Sequence, residues 1–124
     1  MSYICYMKYL DLTKYHQPYS DDTKLILVDI NALMVRLRLD SPEYFIDITT
    51  KNSNSISQID SSINYIQRNS LNEGCFEAPL LTVENGKIGV IDGRHRIAAS
   101  KKIGYSHIYV EIPNQYAINL LDLI

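Results

Sequence analysis

Asp92-Gly93-Arg94-His95-Arg96 is the stretch of this chain whose residue types could do chemistry. It lies where a strand pattern, Lys87-Ile88-Gly89-Val90-Ile91, gives way to a helix pattern, Ile97-Ala98-Ala99-Ser100-Lys101-Lys102-Ile103. Two arginines and a histidine therefore fall in the first turn of a helix. The helix macrodipole is positive at that end, and each cation there costs roughly 0.3–1 kcal/mol. First-turn N–H groups have no acceptor inside the helix. Outward N–H groups, a positive dipole end, a permissive glycine and added cations together describe an anion site, and phosphate is the anion expected. A sequence shaped for stability alone places Asp or Glu there.

Each residue of the motif has a functional and a structural reading. Gly93 serves close phosphate approach, or a turn needing positive φ or a small residue. Arg94 and Arg96 are two apart and leave the helix on different faces. One is expected to grip the anion, the other to pack or to brace an acid such as Glu77 or Asp92. His95 is a half-buried imidazole bonded to backbone, or a phosphate donor or acid/base with a pKa near ~6.5. Asp92 reads first as the helix cap. Beside a phosphate it reads as a metal bridge or a base for a substrate hydroxyl. Glu77 is the further carboxylate expected to help hold Mg²⁺. The candidate anion-binding residues are thus Gly93, Arg94, His95 and Arg96. His95, Asp92 and Glu77 are the candidate catalytic residues, and Glu77 with Asp92 the candidate metal ligands. Ser100 falls about a turn and a half into the helix, outside the site. His16 and His107 have no partners at ligand spacing.

The elements that must position this motif are legible in part. Lys24 to Ile30 is short and rich in branched apolar residues, a strand pattern. Asn31 suits an N-cap for a short helix over Ala32 to Leu39, although alternation of Val35, Leu37 and Leu39 also fits a strand. Asp40-Ser41-Pro42 is a turn, and Tyr44 to Ile48 a short extended piece. Ile56, Ile59, Ile63 and Ile66 form one apolar helix stripe, capped by Ser53 or Ser55 and stopped at Asn72-Glu73-Gly74. Ala78 to Glu84 and Lys87 to Ile91 are strands joined by Asn85-Gly86, the strongest short hairpin signal. Gly104 closes the motif helix. Ser106 to Ile112 is a last strand, stopped by Pro113, and Gln115 to Ile124 fits a helix or a strand. Residues 1–23 form a Tyr-rich arm ahead of a domain spanning 24–124.

Composition bounds the reading. The 124 residues suffice for one α+β domain with a single core. Hydrophobic residues make up 46% and charged residues 21%, as expected of a folded chain. A net charge of -2 argues against broad binding to nucleic acid or membrane surfaces while permitting a local basic pocket. No apolar run is long enough to span a bilayer, and the first residues lack a signal-peptide order, so the cytoplasm is expected. Cys5 and Cys75 lie apart from any CxxC or metal-type spacing and read as reduced, small apolar residues. The ten tyrosines suit a protein interface, since Tyr supplies contact area at low entropy cost.

From Ile56 to Ile112 the order of motifs resembles the ParB/sulfiredoxin-like domain family. Ile-x-x-Ile-x-x-x-Ile, Gly74, Ala78-Pro79-Leu80-Leu81-Thr82-Val83, Ile91-Asp92-Gly93-Arg94-His95-Arg96-Ile97-Ala98-Ala99, Gly104 and Ile108-Tyr109-Val110 run in the family's sequence. The resemblance implies a single compact domain with a small mixed sheet and a helix starting at the Asp-Gly-Arg-His-Arg motif. Partition proteins of the family hold the triphosphate of CTP with a Gly-Glu-Arg-Arg box. Gly93, His95 and Arg96 match it, and Arg94 replaces the Glu. Sulfiredoxins carry Gly-Gly-Cys-His-Arg, and Arg94 stands in place of their cysteine, so sulfinic-acid reduction is not implied. The resemblance does imply a nucleotide, ATP or CTP, with Mg²⁺, in a phosphotransferase or nucleotide hydrolase. Two other readings stand beside it. One is a nuclease acting on DNA through the loose acidic set Glu77, Glu84 and Asp92. The other is a non-enzymatic interaction protein of a plasmid or phage.

Overall fold

Asn85 and Gly86 both take positive φ, 53° and 74°. A two-residue hairpin turn of type I′ requires this at both central positions. They join β2 (Leu80–Glu84) to β3 (Lys87–Asp92) as an antiparallel pair. The computed structural model describes residues 22–43, 45, 46, 49, 51–71 and 78–124, with 69–71 as backbone only. The Tyr-rich arm up to residue 21, most of the Tyr44 to Ile48 piece, the Asn72-Glu73-Gly74 stop, both cysteines, His16 and Glu77 lie outside these residues.

Among the described residues four strands form one mixed sheet in the order β1-β4-β2-β3. β1 (Thr23–Asp29) pairs antiparallel with β4 (His107–Pro113), from Thr23 opposite Pro113 to Asp29 opposite His107. β4 runs parallel to β2, with Leu80 beside Glu111 and the Glu111 N–H donating to Pro79 O at 2.8 Å. Among the described residues β3 is therefore an edge strand. Its ladder with β2 skips one residue: Leu81 pairs with Val90 but Leu80 with Asp92. Ile91 is the extra residue, a β-bulge of the kind that re-aims a strand end beside a site.

Among the described residues there are four helices: α1 (Ile30–Asp40), α2 (Ser53–Leu71), α3 (Arg94–Ile103) and α4 (Ala117–Leu123), the last preceded by a 3₁₀ turn over Asn114–Tyr116. The ambiguous segment after β1 is a helix. Ile30, Leu33, Met34 and Leu37 are buried, while Val35 and Leu39, one turn apart, are 63% and 70% exposed. The strand-like alternation of Val35, Leu37 and Leu39 thus places only Leu37 inside. Asn31 does not cap this helix, contrary to expectation. Asp29 does, its carboxylate accepting the Ala32 N–H at 2.9 Å. Asp29 caps because the helix starts at Ile30, whose side chain is fully buried. Asn31 instead accepts a hydrogen bond from Lys101 Nζ.

The cap of α2 is likewise one residue earlier than Ser53. Asn52 accepts the Ser55 N–H through its side chain and the Ile56 N–H through its carbonyl. Of the isoleucine stripe, Ile59 and Ile66 are buried and Ile63 is packed against the core, while Ile56 at the first turn is half exposed. α2 and α3 pack together. One core unites Leu33 and Leu37 of α1, Ile59 and Ile66 of α2, Leu81, Ile88, Val110 and Ile112 of the sheet, Ile97 of α3 and Leu120 of α4. Burial of each such side chain contributes about 1.5–3 kcal/mol relative to exposure. α3 ends as its sequence predicts. Gly104 has φ 111°, and its N–H reaches Ser100 O and Lys101 O. The chain after Pro113 resolves to a 3₁₀ turn and helix, not a strand.

Candidate anion-binding site

β3 delivers the motif and α3 carries it. The first bond inside α3 is donated by Ile97 N–H to Gly93 O, at 3.1 Å. Arg94, His95 and Arg96 thus make up the first turn, as their place in the sequence predicts. There is no acidic residue in that turn, and Lys101 and Lys102 occupy the last. The basic last turn suits the helix dipole and the basic first turn opposes it.

Asp92 is not the cap that its position suggests. Gly93 holds the N-cap place, in the left-handed region at φ 102° and ψ 17°, with no side-chain cap bond. The Asp92 carboxylate instead accepts a hydrogen bond from Arg96 Nη2 at 3.1 Å. The bulge at Ile91 makes Asp92 the last residue of β3, opposite Leu80. From there its side chain meets Arg96, four residues on. Arg96 is therefore the arginine that braces an acid.

Gly93 answers a structural demand in full. A Cβ there would lie 2.9 Å from Pro79 Cα and 3.0 Å from Arg96 Nη2. The absent side chain lets the β3–α3 corner pack against the residue that leads into β2. Pro79 itself is buried.

A cavity of about 840 Å³ opens in front of this corner. Asp92, Gly93, Arg94, His95 and Arg96 form one wall. Gln58, Ser61 and Ser62 of α2 add polar groups. Met34 and Leu37 of α1, with Phe45 and Ile46, supply an apolar side, and Gly89, Val90 and Ile91 come from β3. The Arg38 guanidinium lies 4.9 Å from the Phe45 ring centroid, outside the lining but against it. An apolar cavity with a few convergent polar groups is the usual form of a small-molecule site.

His95 is half-buried, and burial pushes its pKa below the ordinary 6.5, with the Arg94 charge adding to the effect. Near neutral pH it is an uncharged imidazole. The permanent positive charge of the wall comes from the two arginines. Among the described residues, Asp92 is the only carboxylate lining the cavity, and no group of three His, Cys, Asp or Glu residues could hold a metal ion. Glu84 sits at the hairpin, paired with Lys87. It is four residues along β2 from Leu80, the partner of Asp92, or roughly 13 Å. Glu84 and Asp92 therefore do not form one cluster. Ser100 is buried, its hydroxyl donating to Arg96 O at 2.8 Å, and lies outside the cavity as expected. His107 lies apart, with Ser106 Oγ 3.0 Å from its Nδ1.

Sequence reasoning missed the α2 wall. Gln58, Ser61 and Ser62 lie between the isoleucines of the α2 stripe, and their spacing carries no chemical signal. It also missed Glu111, buried in β4, whose Oε2 accepts the Thr23 hydroxyl at 2.7 Å while Oε1 has no partner among the described residues. Among the described residues no helix is long and apolar enough to cross a membrane. No family model, curated protein or solved structure matches this chain.

Proposed function

We propose that the cavity binds a phosphate-bearing ligand, a nucleoside triphosphate such as ATP or CTP, in a domain of the ParB/sulfiredoxin-like type. One observation carries the reading. Arg94, His95 and Arg96 open a helix against its dipole, and all three line the same 840 Å³ cavity. Cations placed there cost folding stability. That cost is offset when an anion sits on the first-turn N–H groups with the arginines around it.

Gly93 shapes the corner, the arginines supply charge, and neutral His95 donates or accepts a proton at one ring nitrogen. Phosphoryl transfer develops charge on the attacking and leaving oxygens, which usually calls for Mg²⁺ held by carboxylates. Asp92 is the cavity carboxylate that would share such an ion, with Glu77 as its expected partner. The separation of Glu84 from Asp92 favours nucleotide chemistry over a nuclease with a three-carboxylate metal cluster.

Calorimetry with tripolyphosphate, ATP and CTP, at low and high salt, tests the reading. Binding should weaken as salt rises, because a partly exposed charge contact is screened. Arg94→Ala and Arg96→Ala should each lose about 1.5–3 kcal/mol, the range for a charge-assisted hydrogen bond. Equal affinity in wild type and the double variant would remove the proposal.

A further inference from the structure

Ile88 shows which way the outer edge of β3 points. Its N–H donates to Asp40 Oδ2 at 2.8 Å, and its C=O accepts the Ser41 hydroxyl at 3.0 Å. Both groups face away from β2. In an antiparallel ladder this orientation recurs at every second residue. Val90 therefore turns its own N–H and C=O outward. Ser41, which covers Ile88, also lines the cavity, and so does Val90. The outer side of β3 borders the cavity, which also reaches Thr82 and Gly89. Among the described residues no hydrogen bond reaches the outward groups of Val90.

Among the described residues this open edge is one residue long. Ile88 is occupied before it, and the bulge at Ile91 ends the regular ladder after it. Strand addition by a peptide needs several successive edge residues, so the edge does not suit one. A single residue offers one donor and one acceptor side by side. That pair matches a flat heterocycle with a ring-nitrogen acceptor next to an amino donor. Leu37, Phe45 and Ile46 give such a ring an apolar surface to lie against. Three residues further on, roughly 10 Å of extended chain, Gly93 opens α3. A sugar fits between a ring at Val90 and phosphates at Gly93.

We propose that the main-chain N–H and C=O of Val90 read the base of the bound nucleotide, at an acceptor–donor edge such as that of adenine or cytosine. The inference rests on the phosphate reading of the Gly93 end. Calorimetry on the whole chain tests both ends separately, with tripolyphosphate, ATP, CTP, N6,N6-dimethyl-ATP and N4,N4-dimethyl-CTP. ATP or CTP should bind about tenfold more tightly than tripolyphosphate, and dimethylation of the amino donor should abolish most of that gain. Val90→Pro removes the outward N–H at an edge position, where proline leaves the ladder intact. It should lower nucleotide affinity to that of tripolyphosphate and leave tripolyphosphate binding unchanged. Should Val90→Pro fail to fold, the dimethylated nucleotides decide alone. Tripolyphosphate binding with no gain from a base, or with no loss on dimethylation, overturns base reading and leaves the phosphate site standing. Absence of binding by every probe overturns both.

Discussion

Arg96 reaches back four residues to Asp92, Nη2 to Oδ2 at 3.1 Å, across the corner where β3 becomes α3. The arginine side chain is 14% exposed and the aspartate 58%. The guanidinium is held by the protein, and the carboxylate is the member that solvent or a ligand reaches. A phosphate bound as proposed would compete with Asp92 for Arg96 and meet a like charge as it did so.

Asp92→Asn should therefore tighten tripolyphosphate binding measured by calorimetry in EDTA. A surface charge pair is worth about 1 kcal/mol, so the gain should be several-fold. Any Mg²⁺-dependent turnover should fall in the same variant, because the ion loses its carboxylate. Weaker binding in Asp92→Asn, with loss of binding in EDTA for wild type, would instead show that phosphate enters on a metal held by Asp92.

Gly93→Ala should cost about 2–4 kcal/mol, read from the urea midpoint at constant m-value. A left-handed backbone costs an L-residue roughly 1–2 kcal/mol, and a Cβ 2.9 Å from Pro79 Cα adds overpacking of similar size. An unchanged midpoint would mean that this corner relaxes freely.

His95 gives a pH signature of defined sign. Its folded-state pKa lies below the ordinary 6.5, through burial and then the Arg94 charge. The unfolded chain therefore binds a proton that the folded chain refuses. Stability should fall as pH drops below about 6.5 and level off once pH passes the folded pKa. His95→Gln should flatten that part of the curve in thermal melts taken between pH 7.5 and 5. A steeper decline in the variant would contradict the assignment.

Asp40 ties α1 to the edge of β3. Its side chain is 7% exposed, bonded to Arg36 Nε at 2.7 Å and to the Ile88 N–H. Burial alone would raise its pKa, but Arg36 and the Ile88 bond outweigh that and hold it below 3.8. Asp40→Ala should cost about 1.5–3 kcal/mol and bare the Ile88 edge to pairing with other chains. Denaturant unfolding checks the first effect and gel filtration the second. A monomer of wild-type stability would refute both.

Local signals in the sequence determined much of this protein. Asn85-Gly86 dictated its hairpin because only a few residues tolerate two successive positive φ angles. Gly104 fixed the end of α3 for the same reason, and the Ile59 to Ile66 spacing fixed the buried side of α2. The cationic first turn of α3 followed from adjacency alone. Tertiary structure decided what adjacency cannot. Whether 30–40 was helix or strand depended on which side chains the core would accept, and Leu33, Met34 and Leu37 settled it by burial while Val35 and Leu39 stayed outside. Asp92 precedes a helix that it does not cap and pairs with Arg96 instead, and no spacing in the sequence makes that choice. The cavity wall of Gln58, Ser61 and Ser62, set before the corner at Gly93, arises from contacts between segments more than twenty residues apart. No local pattern encodes it, because it exists only where helix and sheet meet.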